Sequence, residues 1–358
     1  MSIINLMEEL QYPSNEEGVC KGIALMAQRA RWAGQFDPFQ TRMAYLNSLK
    51  PTQLQALLQS AKEHDKNLRQ QKTTIPLSQD EQILLTVESF FFQIWAHFSP
   101  RDTQKYLNLD HGDYFNQLDT YKIEQVMYDK DSEDKLISPL PHPNRYLFAV
   151  SNQNCQPLKS FLEKVKEYDE LSPGCVISSG NHDIHVFYNL QKNKWVLTNH
   201  DAILEFESID EVTAEIIYAF KKRKLSEDVV HICINVYTDE KLEKTTSFAN
   251  ELTHISDKAF AIHLDQTPDI NQADAYGNTL LHIAAAYGFA DKVSQLAKRG
   301  DIDLNKLNDI KFSALILAIL FGQADVVNEL LEYPMDKVAL MHQSLSPHLR
   351  VVLKLSIC

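Results

Sequence analysis

An α+β domain followed by an all-α repeat array is the fold class that this sequence predicts. Three observations carry the prediction. Helical periodicity dominates the N-terminal third. Short apolar or alternating runs then succeed one another between turn residues, which is how an antiparallel sheet reads. Toward the C-terminus a segment repeats itself, the mark of a stacked array.

Residues 1–35 open with the polar, turn-like YPSNEEG and pass into CKGIALMAQRARWAG. Val19, Ile23, Met26, Ala27 and Ala30 recur at i, i+4, i+7, i+8 and i+11. That spacing predicts one face of a buried helix, with Gly18 and Cys20 where it begins. Residues 38–108 read as a helical lobe through TQLQALLQSAKEHDKNLRQQ and SQDEQILLTVESFFFQIWAHF, and Ser78 with Glu81 has capping-box spacing. The strand candidates are YKIEQVMY, RYLFAVS, GCVIS, HDIHVFYNL and KWVLTN. A helix, SIDEVTAEIIYAFKKRK, and a last strand, DVVHICINVY, close a first domain at 1–238. The polar stretch 239–268 is expected to be a linker.

Within 269–358 the chain aligns with itself. Asn271 meets Asn305, Thr279 meets Ser313, Leu281 meets Leu315, Ala284 meets Ala318, Gly288 meets Gly322 and Leu296 meets Leu330. The first copy, GNTLLHIAAAYG, closely resembles the ankyrin consensus. Thr279 and His282 can tie a turn to a helix start, the alanines permit close helix packing, and Gly288 can end the helix. The second copy is degenerate, with Phe312 and Ile316 in place of the turn Asn and the His. Two such repeats bury too little alone. Caps on both sides are therefore expected, one from a C-terminal helical pair at 335–358, together with contact to the first domain.

Composition excludes several functions. The 358 residues suffice for two or three domains, and 44% hydrophobic content builds cores. A net charge of −13 disfavours sequence-independent binding to nucleic acid or anionic membrane. The run Lys221, Lys222, Arg223 and Lys224 reads as a solvated helix end. The five cysteines, Cys20, Cys155, Cys175, Cys233 and Cys358, form no CxxC, so a reducing compartment is expected and a disulfide framework is not. The N-terminus MSIINLMEELQ lacks a signal-peptide pattern. Ala314–Phe321, the most apolar stretch, is too short to cross a bilayer, so no integral membrane segment is expected. With 10 glycines there is neither GxxxxGK[ST] nor GxGxxG, so no nucleotide cofactor is expected. His182-x-x-His185 would point to opposite faces of a strand, so no metal is expected either. Nothing in the sequence sets an oligomeric state.

The chemistry-bearing stretch is GNHDIHVFYNLQKNKWVLTNHD, which carries Asn-His-Asp at 181–183 and again at 199–201. The two copies flank an expected β-hairpin. Cys20 is the candidate nucleophile, since a thiol at a helix N-terminus meets the positive dipole end. Asn15, or backbone N–H groups near Cys20, could stabilise an oxyanion. His182 is the preferred base with Asn199 as the group orienting it, and His185 with Asp201 is the rival pair.

A cysteine at a helix start, a histidine on a later strand and an Asn or Asp on the next is the order of papain-like thiol hydrolases. The chain most resembles the YopT/AvrPphB-type cysteine proteases among them. Gly18-Val19-Cys20-Lys21-Gly22 stands for that family's G-x-C-x-G, and His182-Asp183-Ile184 for its H-A-I. Leu197-Thr198-Asn199-His200-Asp201 stands for its F-D-P-N strand end, with Glu205-Phe206 and a helix following. Asn199 replaces the family's Asp, and His200 replaces its Pro. The resemblance implies a Cys-His-Asn mechanism on a protein substrate. A papain-like domain joined to ankyrin repeats resembles the type IV secreted effectors of Legionella and its relatives. That implies delivery into a host-cell cytoplasm, with the repeats recruiting a host protein. A non-catalytic scaffold that binds a host protein is the alternative.

Overall fold

A computed structural model describes residues 2–14, 16–100, 102–103, 140–180, 182–200, 202–221, 229–238 and 244–334. The predicted strand at 121–128 and the C-terminal cap at 335–358 lie outside them. In chain order the helices are α1 (Ser2–Glu9), α2 (Glu16–Trp32), α3 (Phe36–Ser48), α4 (Pro51–Arg69), α5 (Gln79–Leu85) and α6 (Val87–Phe98). Then come β1 (Asn144–Val150), α7 (Gln156–Glu167), β2 (Gly174–Ser178), β3 (Asp183–Asn189), β4 (Lys194–Asn199) and β5 (Ala202–Phe206). They are followed by α8 (Ile209–Ala219), β6 (Val230–Tyr237), α9 (Thr245–Gln266), α10 (Leu280–Tyr287), α11 (Ala290–Ala297), α12 (Ala314–Leu320) and α13 (Ala324–Leu331). The strands form one sheet in the order β1-β6-β2-β3-β4-β5.

Tertiary contacts divide the chain into two units, Met1–Pro141 with Asp183–Val186 and Val196–Glu205, and His142–His182 with Phe187–Trp195 and Phe206–Cys358. The first unit is a helical core. Val19, Ile23, Met26 and Ala27 of α2 are buried with Ile3, Leu6 and Met7 of α1 and with Phe90, Phe91 and Ile94 of α6. Gly22 lets α2 approach α6, because a Cβ there would stand 2.5 Å from the Ile94 carbonyl oxygen. The Ser78–Glu81 capping box forms: Glu81 N–H donates to Ser78 Oγ at 3.2 Å and Ser78 N–H to Glu81 Oε2 at 2.8 Å.

In the second unit β6 pairs antiparallel with β1 on one side and β2 on the other, Ile234 opposing Tyr146 and Ile177. Residues of β6 are buried throughout, as an apolar central strand requires. Tyr146 and Phe148 of β1 pack edge-on against Phe161 of α7. The stretch expected as a linker instead holds the helix α9. Its Ser256 hydroxyl donates to Leu147 O at 3.1 Å. Phe248, Leu252, Ser256 and Phe260 give α9 the buried stripe that its many polar residues conceal in the sequence.

Repeat helices α10 to α13 share one core with Phe260 of α9, Leu147 of β1 and Cys233 of β6. In the first repeat Thr279 N–H donates to His282 Nδ1 at 3.1 Å, while Nε2 meets Phe312 O of the next repeat at 3.1 Å. The Nδ1 acceptor role makes Nε2–H the donor, so one imidazole closes its own turn and ties two repeats. Gly288 ends α10 at φ 84°, a left-handed C-cap. Among the described residues, no helix is long and apolar enough to cross a membrane.

Candidate active site

The first unit carries a thiol–imidazole pair: Cys20 Sγ lies 2.8 Å from His200 Nδ1. Helix α2 supplies the thiol, and the turn between β4 and β5 supplies the ring. Cys20 is 1% exposed and His200 is half-buried. The backbone of His200 is left-handed, at φ 52°. Few residues other than glycine adopt that region, and histidine is among those that tolerate it. A tight link between two strands asks for it, and the conformation turns the chain back at His200. Non-glycine residues held there concentrate at functional sites.

Contact with the imidazole allows S–H to donate to Nδ1, and transfer of that proton yields a thiolate beside an imidazolium. The helix contributes less than the sequence suggested. Because α2 begins at Glu16, Cys20 is its fifth residue, about 6 Å along the axis. The dipole's influence fades within the first turn, so the imidazole is the stronger of the two activating groups.

Of the residues singled out in the sequence, Asn199 ends β4 and directly precedes His200. It is half-buried. His182 belongs to the second unit. It is 6% exposed, its carbonyl accepts from Ser179 N–H at 2.9 Å, and its ring packs edge-on against Phe220. His185, the rival base, is fully buried and bonded through Nε2 to Gln28 Oε1 at 3.0 Å. Burial, with Arg31 nearby, drives its pKa down to about 3, so the ring is neutral. Asn15, Asn181 and Asp201 lie outside the described residues.

The residue that sequence reasoning passed over is His200. It stands inside the second Asn-His-Asp, where the comparison with the protease pattern treated it only as a replacement for proline. Strand β5, which fixes the tight turn, was also unpredicted. AILEF has no clean alternation and is at most half-buried along its length. A histidine two residues from a hidden strand start was the signal available.

Comparison with known proteins bears on the C-terminal part. The ankyrin-repeat family model matches residues 250–340 in three copies. Residues 250–340 are therefore ankyrin repeats, and the first copy begins inside α9, in the stretch expected as a linker. Ankyrin repeats mark this part of the chain as protein-interacting. The poly [ADP-ribose] polymerase tankyrase of Caenorhabditis elegans is 45% identical over 62 residues, which are 17% of this chain. The chain spans only 3% of that protein's length. No solved structure matches.

Proposed function

We propose that this protein is a papain-like thiol hydrolase whose ankyrin repeats recruit a protein substrate. The observation that carries the reading is the 2.8 Å contact between Cys20 Sγ and His200 Nδ1. In this reading His200 takes the thiol proton, and the Cys20 thiolate attacks the acyl carbon of the substrate. The tetrahedral intermediate collapses as the imidazolium returns its proton to the leaving amine. Water, deprotonated by the same imidazole, then releases the acyl group and restores the thiol. The group given the part of orienting His200 in this reading is Asn199, which directly precedes it. The resemblance to secreted ankyrin effectors extends the proposal to delivery into a host-cell cytoplasm, with a host protein as the target.

One observation favours a second reading. Cys20 is 1% exposed, so an acyl substrate reaches it only after the cover over Sγ moves. A protein whose repeats bind a partner while the thiol stays closed would be a scaffold.

Alkylation of Cys20 by iodoacetamide, read by mass spectrometry across pH, separates the two. The hydrolase reading expects fast reaction below pH 7 that His200→Ala abolishes. Asn199→Ala should shift the profile, and His185→Ala should leave it in place. A Cys20 that reacts slowly at every pH, or at a rate indifferent to His200→Ala, leaves the scaffold.

A further inference from the structure

We infer that the outer face of α8 is a docking cleft for an arginine-bearing segment of a partner protein, with Glu211, Glu215 and Tyr218 receiving the guanidinium. The inference goes beyond the proposed function and does not depend on the thiol chemistry.

The cleft follows from the way α8 packs within the second unit. Helix α8 buries Val212, Thr213, Ile216 and Ile217. That stripe leaves Glu211, Ala214, Glu215 and Tyr218, spaced i, i+3, i+4 and i+7, on the other side. Asn152, just past β1, and Phe206, which ends β5, line the same cleft and make this face concave. Its walls are apolar. Phe206 is half-buried, Ala214 is exposed, and the ring of Tyr218 is left 59% exposed. A single exposed apolar residue needs no explanation. Here three of them share one concave surface with charged groups at both ends.

The acidic groups of α8 are satisfied unequally. Asp210 is neutralised, since its Oδ1 lies 2.5 Å from Lys159 Nζ. Glu211 Oε2 accepts from Ser208 N–H at 3.0 Å and from the Ser208 hydroxyl at 2.9 Å, neutral donors that leave its charge uncompensated. Glu215 is half-buried in the cleft. Among the described residues neither Glu211 nor Glu215 has a cationic partner. Like charges four residues apart destabilise a helix. A cation bound between these two is therefore favoured twice, by attraction and by relief of their repulsion. Lys221, past the end of α8, lines the cleft beyond Tyr218 and has no acidic partner among the described residues. Its ammonium repels a second cation, so the cleft takes one positive group, at the glutamate end.

The chemistry selects arginine. A planar guanidinium lies flat on the tyrosine ring while offering paired donors to a carboxylate, which a compact ammonium cannot do at once. The net charge of −13 draws cationic partners toward the chain in general. The cleft gives that attraction one place to end. An exposed aromatic beside unpaired carboxylates is how an anchor side chain of a partner is received, and tyrosine and arginine are enriched among such anchors.

The test uses the full chain and two peptides, acetyl-Ala-Arg-Ala-amide and its citrulline counterpart, which keeps the shape and removes the charge. Binding is read by NMR titration of the α8 backbone amides, with Tm as the control for folding. The arginine peptide should shift the amides of Glu215 and Tyr218, and the citrulline peptide should not. Glu215→Gln and Tyr218→Ala should each weaken binding about threefold or more, while Tyr218→Phe, which keeps the ring, should bind as the wild type does. Asp210→Asn removes a carboxylate that is already paired and should leave binding in place. No shift with the arginine peptide, or equal shifts with the two peptides, overturns the inference. Binding that Asp210→Asn weakens as much as Glu215→Gln also overturns it, since only net charge is then being read. Shifts produced by acetyl-Ala-Glu-Ala-amide and not by the arginine peptide would give the cleft to Lys221 and an acidic partner, against the inference. Cys20 alkylation plays no part in these outcomes, so the hydrolase reading stands or falls separately.

Discussion

His231→Gln should flatten the acid sensitivity of the second unit. His231 is 1% exposed on β6, and burial holds its pKa at about 3 instead of 6.5. His282, fully buried in the first repeat, is likewise pushed by burial down to about 4. His263 on α9 moves the same way, to about 4, and its ring faces that of His231. In the unfolded chain these rings take up a proton as pH falls through 6.5, whereas in the fold they resist until about 3 or 4. The unfolded state therefore binds more protons across that window. Stability is complete above 6.5 and drains away as pH falls toward the folded values. At pH 5 each fully buried ring costs about 2 kcal/mol. Asp274 works in the opposite sense. Burial raises its pKa from 3.8 to about 6, so moving from pH 7 to pH 5 relieves the fold by about 1 kcal/mol. The histidines win, and their cost is large against the roughly 5–15 kcal/mol of a whole domain. Glutamine at 231 keeps an N–H donor for Asn278 O and removes one titrating ring. Urea unfolding at pH 7.5 and pH 5, with hydrogen exchange at the β6 amides, should show the variant losing about 2 kcal/mol less than the wild type between the two conditions. An identical loss in both proteins would refute the assignment of the acid sensitivity to His231.

Three further outcomes are expected. Gly22→Ala drives a methyl into the Ile94 carbonyl and should destabilise the first unit by about 1–3 kcal/mol, read as a lowered Tm with loss of the Cys20–His200 contact. Ser208→Ala removes the hydroxyl that accepts from Glu211 N–H at the start of α8, for a loss of about 1 kcal/mol in urea unfolding. A chain truncated after residue 238 uncovers Leu147 and Cys233, which share the repeat core, so it should aggregate or bind a hydrophobic dye where the full chain does not.

The sequence disclosed most where one physical rule acts alone. The face Val19, Ile23, Met26 and Ala27 was readable because a helix against a core needs that period, and all four residues are buried. Ser78–Glu81 and Thr279–His282 were readable because their partners are three residues away. Legibility failed where a distant surface decides. Helix α9 looks polar because three of its sides carry charge and amides, and only packing on β1 and the repeats identifies its buried stripe. The site shows the same division. Cys20 stood out through its local motif, but its ring partner is 180 residues away and lies in a strand link that depends on β5. No local pattern distinguished His200 from the His182 and His185 beside it.

The way the repeats are built into the chain also bears on what they do. So short an array of repeats depends on what flanks it, since each unit is stabilised by its neighbours. Here the missing neighbour is the β1–β6 side of the sheet, which gives Leu147 and Cys233 to the repeat core. Polar contacts join the same surfaces: His231 to Asn278, Arg145 and Ser179 to Tyr287, and Gly180 against Asn278. An apolar seam tolerates sliding, because burial is nearly indifferent to small displacements. A hydrogen-bonded one does not, because each bond is lost within a few tenths of an ångström to an ångström, and a buried group left unpaired costs about 1–3 kcal/mol. Register fixed at His231, Arg145 and Ser179 therefore makes the repeats and the β1–β6 side of the sheet one hydrogen-bonded body.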